Sequence, residues 1–126
     1  MTKAQAIYNF WASFGLKAYD TQSVPDGSDS PSFPYITYET STGAIGAQMT
    51  LTGNVWYRST SWKDVSDKVD EIAKKIAEMD AVKIDDGYMY VTIPETTPFA
   101  QRLSDPSDDM IKGNTLSVNF EFLTSY

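Results

Sequence analysis

The chain has 126 residues, 41% of them hydrophobic, the size of one domain with a single core, and too short for a second. It contains no Cys and no His, which excludes disulfides, thiolate metal sites, a Cys nucleophile, a Ser-His dyad and the usual zinc ligands. Ten basic residues against 17 acidic ones leave a net charge of −7, so the average surface repels phosphate backbones and anionic lipid.

In chain order, the first element is a helix over Thr2 to Phe14, with Ile7, Trp11 and Phe14 on one face, Ala4 and Tyr8 flanking, and Gly15 placed to end it. The apolar run Ala4 to Leu16 is interrupted by Asn9 and Ser13 and lacks a small-residue cleavage site, so it reads as neither a signal peptide nor a membrane span. From Tyr19 to Pro34 three prolines and many small polar residues predict a long irregular connection. Tyr35 to Thr40 is aromatic and β-branched and reads as a strand; the glycine-containing stretch Ser41 to Ala47 connects it to the next. Gln48 to Arg58 alternates, with Met49, Leu51, Val55 and Tyr57 on one face and Thr50, Thr52, Asn54 and Trp56 on the other; Gly53 suggests a bulge or bend.

The longest segment with one clear period is Ser61 to Met79. Trp62, Val65, Val69, Ile72, Ala73, Ile76 and Met79 form one apolar stripe, which predicts an amphipathic helix packed on a sheet. Ser61 with Asp64 resembles a capping box, and Asp64–Lys68, Asp70–Lys74 and Glu71–Lys75 place each acid four residues before its base. Ala81 to Ile84 and Tyr88 to Ile93 flank Asp85-Asp86-Gly87, a strong hairpin signal, and Pro94 ends the second run. Glu95 to Gly113 reads as a second long loop with one helical turn near Phe99 to Leu103. Thr115 to Leu123 closes the chain, with Leu116, Val118, Phe120 and Phe122 in alternation. The order α-β-β-α-β-β-β with tight strand connections predicts an α+β fold: a mainly antiparallel sheet of about five strands with both helices on one face.

No constellation carries obvious chemistry. The acidic groups Asp26 with Asp29, Asp85 with Asp86, and Asp105 with Asp108 and Asp109 lack calcium-loop spacing and read as solvated turns, so no metal or cofactor is expected. Gly43-Ala-Ile-Gly46 is followed by a strand, whereas a phosphate loop needs a helix there. Glu39, Glu95 and Glu121 are explained as strand-face or loop residues, so carboxylate catalysis is not expected and no catalytic residue is assigned. Trp56, Tyr57 and Trp62 cluster in sequence around Arg58, while Tyr88 and Tyr90 lie opposite Met89 and Val91 on their strand. If helices cover only one face, Trp56, Tyr88 and Tyr90, with Arg58 nearby, compose a protein interface.

The element order, the helix Ser61 to Met79 after a strand ending Val55-Trp56-Tyr57-Arg58, the hairpin at Asp86-Gly87 and the apolar last strand close to Tyr126 together resemble the tail-terminator (tail-completion) proteins of long-tailed phages. The resemblance spans nearly all of residues 1–126, and Glu95 to Gly113 is the part it does not explain. It implies a non-enzymatic virion protein at the tail neck, assembled in the host cytoplasm. There a ring, usually of six subunits, caps the tail tube and joins it to the head-completion or connector protein. DNA would only pass through the lumen, and no membrane would be involved. On that reading the Asp-rich loops, Asp26 to Asp29 and Asp105 to Asp109, line the channel or order on contact with neighbours, since an acidic lining does not hold DNA. The alternative is a ferredoxin-like single-strand nucleic-acid binder with Tyr88 and Tyr90 as stacking platforms, which the net charge opposes.

Overall fold

The computed structural model describes residues 1–41 and 48–124. The expected connection containing Gly43 and Gly46 lies outside the described residues, as does Tyr126. The elements are α1 (Lys3–Ala12), β1 (Lys17–Asp20), a short 3-10 turn (Gly27–Asp29), β2 (Tyr35–Tyr38), β3 (Gln48–Arg58), α2 (Lys63–Ala77), β4 (Val82–Ile84), β5 (Gly87–Thr92), β6 (Ala100–Asp105) and β7 (Asp108–Thr124).

Thr2 caps α1 reciprocally with Gln5: its Oγ1 accepts from Gln5 N at 3.1 Å, and Gln5 Oε1 accepts from Thr2 N at 2.8 Å. Gly15, with φ +82°, turns the chain out of the helix and into β1. α1 buries Ala6, Ile7, Phe10 and Trp11, and Phe10 meets Phe120 of β7 edge to face at 5.4 Å. α2 buries the expected stripe Val65, Val69, Ile72 and Ile76. Its start differs from the capping-box expectation: Trp62 occupies the cap position without a side-chain bond, and Ser61 Oγ accepts from Lys63 N at 3.1 Å. Of the expected ion pairs, Glu71–Lys75 is present at 3.7 Å. Lys68 turns to Glu71 (3.1 Å) and to Phe14 O (2.9 Å) instead of Asp64, because the α1 terminus lies within its reach.

The sheet corrects the expected architecture. Seven strands, in the order β1-β2-β3-β7-β5-β4 with β6 added beside β7, form a mixed sheet curled into a half-barrel. β1 pairs β2 in parallel, and every other pair is antiparallel. Two strands went unread. β1 has one buried residue, Ala18, and owes its extended state to a parallel neighbour that begins 15 residues after it ends, so no local period announces it. β6 and the start of β7 take up residues 100–105 and 108–113 of the stretch 95–113 expected to be a loop, while 95–99 is free of strand, and residues 100–103 form strand in place of the expected helical turn.

β7 explains by its length how β6 and β5 fit on one edge. It is 17 residues long, and β3 pairs with its stretch 111–121 on one edge; on the other edge β6 pairs first, with 108 and 112–116, and β5 follows, with 119–124. The core lies on the face where Leu51 and Val55 of β3, Leu116, Val118, Phe120 and Phe122 of β7, and Met89 and Val91 of β5 meet both helices. Gly53 makes no bulge: β3 keeps register with Tyr38 and Leu116 through it, and the Trp11 indole lies where a Cβ would project, 2.4 Å from its nearest ring carbon. In the β4–β5 hairpin, Ile84 pairs with Gly87, so Asp85 and Asp86 form the turn, Asp86 takes the left-handed conformation at φ 61°, and Gly87 begins β5. No helix among the described residues is long and apolar enough to cross a membrane.

Candidate interaction surface

Alternation along β3, β5 and β7 sends every second side chain to the face without helices. At one end of that face Tyr88 of β5 stands opposite Leu123 of β7, and Tyr90 stands opposite Glu121. Tyr88, Tyr90 and Leu123 are 43, 41 and 45% exposed, a degree usual for charged side chains and uncommon for three neighbouring apolar ones. The Lys83 ammonium of β4 sits 5.3 Å from the Tyr88 ring centre, so this patch has a cation at its border.

A polar band crosses the middle of the face. Thr50 donates to Asn119 at 2.6 Å, Thr52 to Glu39 at 2.6 Å, and Thr115 to Asn54 at 2.9 Å. The Thr52 hydroxyl and backbone N–H hold the Glu39 carboxyl below its usual range.

Beyond the band lies a second aromatic group. Trp56 pairs with Gly113, and its ring covers the glycine so closely that a Cβ there would stand 2.8 Å from two ring carbons. Its Nε1 donates to Thr37 Oγ1 at 3.1 Å, which fixes the indole against β2. Tyr35 of β2 follows on the same side, with Tyr19 edge-on at 6.2 Å and Phe33 at 5.2 Å. Trp56 therefore belongs to a group eight residues along β7 from Tyr90, about 27 Å at strand rise. The four residues expected to form one interface share a face but not a patch.

Nor do Trp56, Tyr57 and Trp62 gather around Arg58. Arg58 turns to Asp108 in an ion pair, and Trp62 lies on the opposite, helix-bearing face, flanked by the Arg102 guanidinium at 4.5 Å and the Lys112 ammonium at 5.6 Å. Strand alternation separates neighbours in sequence onto opposite faces, which is why adjacency was misleading. Burial, then the Asp64 and Glu71 charges, raise the Tyr57 hydroxyl above its ordinary pKa.

The acidic loops are also separate. Asp26 and Asp29 bracket the exposed 3-10 turn beside β1, at one border of the sheet. Asp105, Asp108 and Asp109 form the tip of the β6–β7 hairpin. There Asp105 accepts from Ser107 N and Oγ at 2.8 and 2.6 Å, and Asp108 accepts from Arg58 and from Met110 N; these bonds lower both carboxyl pKa values. Among the described residues no three acidic side chains converge as a metal site would require. Sequence reasoning missed Leu123, although extending the alternation past Phe122 points it outward, and missed the Arg102–Trp62–Lys112 stack, for which the sequence holds no signal. No protein-family model matches the chain, and no curated protein matches it.

Proposed function

We propose that the chain is a ring-forming structural protein of the tail-terminator type, which caps a phage tail tube and joins it to the head connector at the virion neck. The observation that carries this reading is the helix-free face. Its opposite side is filled by core, yet it keeps Tyr88, Tyr90 and Leu123 together in water, the composition of an interface awaiting its partner. In such a ring, of six copies on this reading, the contacts are made with identical subunits, with the tail tube protein and with the head-completion or connector protein. DNA passes through the lumen.

The test replaces Tyr88 and Tyr90 by Glu and measures folding and assembly separately. Circular dichroism and a thermal melt close to the parent, with loss of the multimer in sedimentation or of tail joining in reconstitution, is the expected result. If both variants unfold the single subunit, these tyrosines belong to its core and the proposal fails. One observation favours a second reading: two exposed tyrosines alternate on an open sheet beside Lys83, as in a platform that stacks single-stranded bases. Retention on single-stranded DNA that weakens with salt and is lost with Tyr88→Ala would support that reading instead.

A further inference from the structure

Two strands of the curled sheet have an edge with no partner among the described residues and enough length to take one. β1 pairs only with β2, and β6 pairs only with β7. Native proteins normally blunt or cover such edges, because unpaired N–H and C=O groups template another strand. β1 is left open. Two clefts, about 460 and 520 Å³, share Gly15, Leu16, Lys17 and Tyr19; one is walled by residues 28–32 and 34, the other by Tyr8 and Ala12 of α1.

The direction of the two edges suits a cyclic assembly. β1 runs with β2, against β3, with β7 and against β6, so β1 and β6 are antiparallel within one subunit. Rotation about an axis along the strands preserves strand direction. The β6 edge of one copy therefore meets the β1 edge of the next as an antiparallel pair, the arrangement a closed head-to-tail ring needs.

Side chains select a register. On β1, Ala18 and Asp20 share the helix-bearing face with their partners Ile36 and Tyr38, while Lys17 and Tyr19 point to the other face. On β6, Arg102 and Ser104 share the helix-bearing face and Leu103 lies on the other, while Asp105 follows a register shift against β7. Setting Tyr19 opposite Leu103 of the next copy in antiparallel order puts Ala18 opposite Ser104 and Asp20 opposite Arg102, and brings Lys17 to the end of β6 that carries Asp105, past its register shift. The Asp20–Arg102 pair then has opposite sign, the apolar pair meets on one face, and the small pair meets on the other. A parallel pairing through the same two residues sets Ala18 against Arg102 and Lys17 against Gln101, and neither charge is matched. The groups of the Asp20–Arg102 pair are also available. Asp20 uses Oδ1 for Gln22 N at 2.8 Å and keeps Oδ2, and Arg102 stacks on Trp62 with no ion pair of its own among the described residues. β4, the remaining outer strand, has only three residues and runs parallel to β1, so it offers no comparable match.

We infer that the subunits join edge to edge through β1 of one copy and β6 of the next, antiparallel, in the register Ala18–Ser104, Tyr19–Leu103 and Asp20–Arg102. This makes one sheet continuous around the ring. It rests on the ring reading above and adds the residues of contact.

The absence of Cys in the parent allows a direct test with Ala18→Cys and Ser104→Cys in one chain. Facing Cβ atoms of an antiparallel pair lie about 4.5–5.5 Å apart, close enough for a disulfide to form with a small local adjustment. Mild oxidation should give a ladder of linked multimers on a denaturing gel, and neither single variant should give it. Charge reversal supplies the second arm. Asp20→Arg or Arg102→Asp alone should weaken self-association at least tenfold by sedimentation equilibrium, and the two together should restore it. A parent that assembles while the double-Cys chain gives no ladder and the double reversal gives no recovery overturns the edge pairing and leaves the ring reading standing. Linking by either single-Cys variant as efficient as by the pair means a twofold contact and also overturns it. A parent that stays monomeric at high concentration, with no cross-link, removes both.

Discussion

Gly53→Ala should destabilise the protein although glycine in a strand is ordinarily a weak choice. A Cβ at this position would stand 2.4, 2.6 and 2.8 Å from three carbons of the six-membered ring of Trp11. That ring has nowhere to retreat: Trp11 is fully buried, Phe10 meets it edge-on at 4.9 Å, Tyr38 stacks on it at 6.4 Å, and Phe14 lies at 6.5 Å. Overpacking of this kind costs about 1–3 kcal/mol. Replacing glycine in an ordinary strand conformation recovers about 0.4–1 kcal/mol by restricting the unfolded chain, so a net loss of roughly 1–2 kcal/mol is expected. Trp11→Phe removes the ring atoms that block the site, together with an indole N–H that has no hydrogen-bond partner among the described residues. In that background Gly53→Ala should be neutral or stabilising. Urea melts of the four proteins, with m unchanged, give the coupling directly, and about 1–2 kcal/mol is expected. Equal cost of Gly53→Ala in both backgrounds would refute the packing argument, since the clash would then not involve Trp11.

Two further outcomes are expected. Ile72→Ala, at a fully buried position of the α2 stripe, should cost about 2–5 kcal/mol, and an unchanged melting temperature would show that the helix does not pack as described. Burial, above all other causes, raises the hydroxyl pKa values of Tyr35, Tyr38 and Tyr57 above 10.0. Because the folded value exceeds the unfolded one, their contribution is complete below about pH 10 and is lost as pH rises through the folded values. Alkaline unfolding followed by circular dichroism should then coincide with a late step in phenolate absorbance, which Tyr57→Phe reduces. A titration in which all tyrosines ionise near pH 10 without loss of structure would contradict this.

What the sequence made legible, and what it hid, follows from where each element finds its partner. α2 announces itself because its stripe, Val65 to Ile76, is buried on one side only, and a one-sided helix leaves a 3.6-residue period in the text. The alternation in β3 and the second half of β7 is visible for the same reason: one face meets the helices and the other meets water. β1 and β6 have no such contrast. Lys17–Asp20 buries one side chain, Ala-Gln-Arg-Leu-Ser-Asp buries none, and both are held by backbone bonds to neighbours, which any side chain permits. The same absence of a buried face makes them edges, and edges are where a sheet can be extended by another chain. The strands hardest to read are thus the ones that lack a core side. In the edge pairing proposed above, the opposite signs of Asp20 and Arg102 would match across two copies. Gly53 makes the converse point: its place in β3 looked like local irregularity, but its reason is tertiary, the Trp11 ring arriving from a helix about 40 residues earlier. Local pattern therefore identifies elements with a core side, whereas glycine contacts and parallel pairings take their meaning from chain that is distant in sequence.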